Sequence, residues 1–198
     1  KIMFAFGVIL SGLGMYLLAK RVWGTNGAIL SALFYVFLPY HAVQIYIRGA
    51  VGEYFAFALL PLVLLALIEV SQKPKFAVIL GGLSIAAVVL SHNIIGMITL
   101  VLIVFWIICK SVIALKSKET GKEIGILACI LLMGLGLAAF FWLPAIFESK
   151  LTNSSSLTQG GSDYRLHFVE IDQLCDSPWG YAGSALGRND GMSFKIGK

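Results

Sequence analysis

The sequence predicts an all-α membrane protein of about six transmembrane helices, followed by an extracytoplasmic tail that begins a β-rich region. Composition is the first reason. Of 198 residues, 59% are hydrophobic and 13% charged, with a mean hydropathy of +0.89. An average soluble domain has about 45–50% and about 25%. The second is grouping: the apolar residues gather in runs near the ~20 residues that cross a ~30 Å hydrocarbon core. The third is that Lys and Arg fall mostly in short gaps between those runs. A water-soluble globular enzyme is excluded. The net charge of +5 reports topology, so the expected partner is the lipid bilayer and not nucleic acid.

The runs cover residues 2–19, 27–38, 54–70, 76–90, 94–115 and 124–147. The second is short and reaches span length only by continuing past Pro39 towards Ile47. Residues 76–109 as one helix would reach about 50 Å at 1.5 Å per residue, so the chain must turn. Ser91-His92-Asn93 is the polar place to do so. Pro144, near the end of the last run, reads as a kink or stop. Glu69 stands four residues before Lys73, the spacing of a helical ion pair. Small residues at Gly7/Ser11, Gly82/Ala86 and Gly134/Ala138 would permit close helix contacts.

Orientation follows from the cationic gaps. Lys20, Arg21, Lys73, Lys75, Lys110, Lys116, Lys118 and Lys122 follow spans one, three and five, whereas Arg48 alone follows spans two and four. The odd gaps are therefore expected in the cytoplasm. Residues 39–53, 91–93 and 148–198 are expected outside it. The helical membrane domain is taken as residues 1–147. The tail, 148–198, starts with a Ser/Asn/Gly/Gln-rich linker, continues into a short amphipathic helix at 166–174, and turns at Ser177-Pro178-Trp179-Gly180. Asn189-Asp190-Gly191 before alternating Met192, Phe194 and Ile196 reads as a hairpin entering a strand. Lys1 in place of Met, and an ending in mid-pattern, read as an internal fragment of a longer protein.

Chemistry is concentrated in residues 39–53. Arg48 is the only loop cation on the external face, and Glu53 is the only acid before Glu69. Together they could grip a lipid phosphate and act as a base. The same pattern equally fits an interfacial helix whose Arg48 snorkels to water. Tyr40 and Tyr46 sit at aromatic-belt depth. His92 and Asn93, at an external helix junction, would line the same cavity as His41, or else Ser91 and Asn93 cap the next helix while His92 bonds at the interface. Asn153-Ser154-Ser155 matches a glycosylation acceptor. The cysteines show no metal or disulfide spacing, and no metal site is expected here. No phosphate-binding loop, dinucleotide fingerprint, nucleophile elbow or zinc-protease motif occurs.

Several ordered blocks carry a resemblance: Pro39-Tyr40, the stretch from Ile45-Tyr46-Ile47-Arg48-Gly49 through Leu60-Pro61, Ser91-His92-Asn93, and Phe140-Phe141-Trp142-Leu143-Pro144-Ala145. Ser177-Pro178-Trp179-Gly180 and Asp190-Gly191-Met192-Ser193-Phe194 extend it into the tail. Together they resemble the large bacterial multi-pass proteins described as 6-pyruvoyl-tetrahydropterin synthase-related. No soluble synthase domain or zinc-binding histidine cluster accompanies them, so no pterin is expected. The resemblance implies a GT-C-like architecture, shared with oligosaccharyltransferases and other enzymes using polyprenyl-phosphate-linked sugars. In that architecture a first external loop carries an acidic metal-binding motif. Such a loop is expected upstream of Lys1, which leaves a divalent cation possible in the full-length protein and the cofactor otherwise unknown.

The function expected on this basis is transfer of a sugar from a polyprenyl-phosphate donor to an extracytoplasmic acceptor in envelope assembly. Glu53 is the catalytic candidate; Arg48, His41, Tyr40, His92 and Asn93 are the substrate-binding candidates. The alternatives are a non-enzymatic scaffold or assembly factor for envelope polymers, and a transporter. Polar groups at one face rather than at mid-membrane weigh against the transporter.

Overall fold

A computed structural model describes residues 1–114, 118–151, 163, 168–176 and 180. Every regular element among the described residues is helical. Four segments are long and apolar enough to cross a membrane: Ile2–Arg48, Val51–Ile68, Pro74–Ser91 and Asn93–Val112. A fifth is added if the bent pair Gly121–Leu137 and Ala139–Phe147 forms one span. By length and composition four or five segments qualify, and the expected six are not confirmed. The first two apolar runs share the segment Ile2–Arg48, interrupted at Gly24, and the last run is bent.

The first helix, α1 (Ile2–Val36), leaves helical geometry at Gly24, with φ 72° and ψ −171°. Only glycine adopts that region without strain. The two halves fold back on each other there. A side chain at Gly12 would touch Val36, and Met15 lines one cleft with Ser31 and Tyr35. In a straight helix Gly12 and Val36 would stand roughly 36 Å apart.

Residues 39–48, expected as part of an external loop, are instead helical. A short α2 (Pro39–Ala42) begins on its proline, which needs no amide donor at that position. It runs into a π-helical turn, Val43–Arg48. This corrects the loop assignment: the apolar pattern does continue past Pro39, as the short second run required. Then follow α3 (Val51–Ile68), α4 (Pro74–Ser91), α5 (Asn93–Ala114), α6 (Lys118–Leu137) and α7 (Ala139–Phe147).

The helix α4 is central, packed against α3, α5 and α6, while α1 packs on α3. The core between them is made of Val63, Leu67, Ala77, Ile85, Val88, Ile103, Leu127 and Ile130. The small-residue pairs do allow close approach. Gly7 meets Tyr54, Gly82 meets Met133 and Gly134 meets Ile85. Large apolar side chains such as Leu13, Val101, Leu102 and Phe105 point outward, as lipid-facing surfaces should.

The last apolar run bends by 71° between Leu137 and Ala139. The break lies six residues before Pro144, which sits inside α7 without ending it. Gly134 and Gly136 weaken the preceding turn. Trp142 repairs it, its indole Nε1 donating to the Leu135 carbonyl at 2.9 Å.

The chain divides into two compact units, Lys1–Trp142 and Leu143–Lys198. In the second, a 3-10 turn at Ser149–Leu151 and a short α8 (Ile171–Cys175) are described. The expected helix at 166–174 is therefore present in its C-terminal part. A reciprocal cap opens α8: Glu170 and Gln173 each bond the other's backbone. Asn153, Ser177-Pro178-Trp179 and the proposed hairpin at 189–196 lie outside the described residues.

Candidate functional site

Polar groups of the first unit collect at two ends of the bundle. At one, Arg21 pairs with Glu69 and donates to Gln72, and Lys110 pairs with Glu123 at 2.8 Å. This corrects the pairing expected for Glu69. Its side-chain partner is Arg21 from another helix, while Lys73 reaches it only through a backbone bond, Lys73 N–H to Glu69 carbonyl. The helix ends at Ile68 with Glu69 as its C-cap, so Glu69 and Lys73 do not share a face of one continuing helix.

At the other end, Tyr40, Arg48 and Glu53 form one cluster. The Arg48 Nη1 lies 2.9 Å from Glu53 Oε2 and 3.2 Å from Oε1. The same nitrogen stands 3.2 Å from the Tyr40 hydroxyl oxygen, and the Tyr40 hydroxyl donates to Glu53 Oε1. The Arg48 side chain is 50% exposed and that of Glu53 only 7%. A buried carboxylate is thus held by two donors, under a guanidinium with one edge in the open.

Local backbone makes this possible. The π-helical turn closes on Gly49 at φ 58°, ψ 28°, a left-handed residue that suits glycine. The Ala50 amide returns to the Gln44 carbonyl at 2.9 Å. Chain direction then reverses within two residues, so Arg48 at the end of one helix faces Glu53 in the first turn of the next. Gly52 matters by its size. A side chain there would collide with the Ser91 carbonyl, so the start of α3 lies directly against the end of α4.

The remaining candidates separate. His41 is buried rather than lining an open cavity, with its ring edge-on to Tyr35, Tyr54 and Phe57 at centroid distances of 5.2, 5.1 and 6.3 Å. His92 caps α5: its Nδ1 accepts the Ile95 amide at 3.3 Å. Ser91 instead donates to the Ala87 carbonyl at 2.6 Å, and Asn93 is the first residue of α5. The cap expected from Ser91 and Asn93 thus belongs to His92. Residues 91–94 line their own shallow cleft. Through Gly52 and Ser91 they share an end of the bundle with Arg48. Among the described residues, no hydrogen bond joins His92 or Asn93 to the cluster.

Gln44 escaped sequence reasoning. It is fully buried, and neither its amide oxygen nor its nitrogen has a hydrogen-bond partner among the described residues. A signal was present: Gln44 stands three residues after His41 and four before Arg48, on one helical face.

No group of three or more metal-ligating side chains occurs among the described residues. At the cluster the single carboxylate is already bonded to Arg48 and Tyr40, and His41 is walled off by rings. These residues do not fit a divalent cation, and no step is derived through one.

Residues 1–160 match the 6-pyruvoyl-tetrahydropterin synthase related domain, a membrane-protein family. The chain belongs to that family. The match covers all of the first unit, and the apolar helices of this 6-pyruvoyl-tetrahydropterin synthase related domain agree with a membrane protein. No curated protein and no solved structure matches the chain.

Proposed function

We propose that this end of the bundle faces the extracytoplasmic side of a bacterial inner membrane and binds the phosphate of a polyprenyl-phosphate-linked sugar. The parent protein, of GT-C-like type, would transfer that sugar to an envelope acceptor. The supporting observation is the Tyr40–Arg48–Glu53 cluster. An arginine presents five donors in a fixed fork, and here Nη1 alone makes the contacts to Tyr40 and Glu53. The opposite edge of the fork is the one a phosphate would engage, in paired charge-assisted bonds. A lipid-linked donor keeps its phosphate at the membrane surface because its hydrocarbon is buried, which is the depth expected for a half-exposed arginine at a helix end.

Glu53 suits orientation better than proton abstraction. Both of its oxygens are already engaged, by Arg48 Nη1 and the Tyr40 hydroxyl. It holds the guanidinium plane so that the fork stays aimed, and Tyr40 fixes the carboxylate in turn. In this reading Glu53 is a positioning residue. Gln44, lacking partners while buried, is a donor–acceptor pair available to a sugar hydroxyl if the π-helical turn opens.

The test is transfer by the full-length protein from candidate polyprenyl-phosphate sugars in proteoliposomes, with and without divalent cation. Arg48→Ala is expected to weaken donor binding about ten- to a hundredfold, the equivalent of one lost charge-assisted contact. Unchanged transfer removes Arg48 from the site. Absence of both transfer and donor binding in the unaltered protein assigns the chain to the non-enzymatic scaffold class instead.

A further inference from the structure

The opposite end of the bundle holds a cleft that the proposed reaction does not use. It has a volume of about 330 Å³ and runs between α1, the end of α3 and the start of α4. Leu17, Leu65 and Phe76 supply its apolar lining and Lys20, Arg21, Glu69 and Lys73 its charged lining; Leu65 and Glu69 are buried, Leu17 and Phe76 exposed. Two features of the charged lining point to a ligand. Glu69 is 3% exposed, and its Oε1 pairs with Arg21, yet its Oε2 is buried with no hydrogen-bond partner. The cations outnumber it: beside Arg21, committed to Glu69 and Gln72, stand Lys73 and Lys20, whose ammonium lies over the Tyr16 ring at 5.4 Å.

A buried carboxylate oxygen without a partner calls for a donor. Two lysines beside it call for an anion. A ligand that satisfies both carries an N–H cation and a phosphate a few atoms apart, joined to hydrocarbon that can lie on Leu17 and Phe76. The cleft stands where the helices end, at the depth of lipid headgroups, and the apolar outer surfaces on either side are already lipid-facing.

We infer that this cleft binds the headgroup of a phospholipid bearing an amine with N–H donors, such as phosphatidylethanolamine. The phosphate lies on Lys20 and Lys73, and the ammonium donates to Glu69 Oε2. A purely anionic headgroup such as phosphatidylglycerol would satisfy the lysines but bring no cationic donor to Glu69. Phosphatidylcholine offers a cation without an N–H.

The test uses the full-length protein in nanodiscs and counts retained lipids by native mass spectrometry. The discs carry phosphatidylethanolamine, its N-methyl and N,N-dimethyl forms, phosphatidylcholine or phosphatidylglycerol in otherwise identical mixtures. Retention is expected to hold while any N–H remains and to fall about tenfold at phosphatidylcholine, the loss of one charge-assisted bond. Lys73→Ala should weaken retention of both the ethanolamine and glycerol lipids, and Glu69→Gln should erase the preference between them. Equal retention of phosphatidylethanolamine and phosphatidylcholine, or stronger retention of phosphatidylglycerol, overturns the proposal. The headgroup series on the unaltered protein decides it even if Glu69→Gln fails to fold for want of a partner to Arg21.

Discussion

Tyr40, Arg48 and Glu53 form one hydrogen-bonded cluster. Removing the Tyr40 hydroxyl (Tyr40→Phe) deletes one donor to a buried carboxylate and is expected to cost about 1 kcal/mol of stability. The fork would also lose its aim, so donor affinity should drop while the bundle stays folded, as circular dichroism and binding measured on one preparation would show. If Tyr40→Phe leaves donor affinity intact, the hydroxyl does not position Arg48. Gly52 has a different role, since its missing side chain leaves room for the Ser91 carbonyl. Gly52→Ala is expected to destabilise by about 1–3 kcal/mol through overpacking, read as a lowered midpoint of thermal unfolding in detergent. An unchanged midpoint would mean that α3 and α4 can part without cost.

Two breaks shape the helices, and each has its own chemical cause. At Gly24 the backbone enters a region that other residues occupy only with strain of about 1–3 kcal/mol. Gly24→Ala should therefore weaken the fold-back of α1, and a cysteine pair at Gly12 and Val36 should crosslink less readily in that variant. Equal crosslinking would show that the reversal does not depend on the glycine. At Ala138 the break is sustained by a side chain: the Trp142 indole satisfies the Leu135 carbonyl. Trp142→Phe keeps most of the packing and deletes the donor, so a loss of about 1–3 kcal/mol is expected. Trp142→Leu should cost more, because packing against the core goes as well. An unchanged stability of Trp142→Phe would mean that the hydrogen bond contributes nothing, and equal losses in the two variants that the packing adds nothing. Pro144 drew attention in the sequence as the natural breaker, but the helix accommodates it near its end and breaks earlier.

Across the first unit, charge is sorted to two ends, and the contacts respect the sorting. Arg21, Glu69, Gln72, Lys110 and Glu123 meet partners from their own end, and Tyr40, Arg48 and Glu53 do likewise. If this sorting reflects two aqueous compartments, single cysteines at Arg48 and Lys73 should be labelled from opposite sides of intact cells. The native Cys109, Cys129 and Cys175, all exposed, would first be changed to serine. Labelling of both positions from the same side would remove the physical basis of the proposed donor site, because a cationic grip would then share the lysine-rich face.

Apolar content and run length foretold a helical membrane protein, because a ~30 Å hydrocarbon layer demands long unbroken apolar helices whatever their packing. The turn at His92 and the isolation of Arg48 with Glu53 could likewise be read along the chain, since both depend on local polarity. Other features could not. The pairing of Arg21 with Glu69, the burial of His41 among aromatic rings, the dry Gln44 and the π-helical turn beneath Arg48 all depend on which helix faces which. In this chain nearly every helix is apolar on all sides, so periodicity carries little record of its inward face. The packing of small residues between helices supplies that choice, and it emerges only once the segments are folded together.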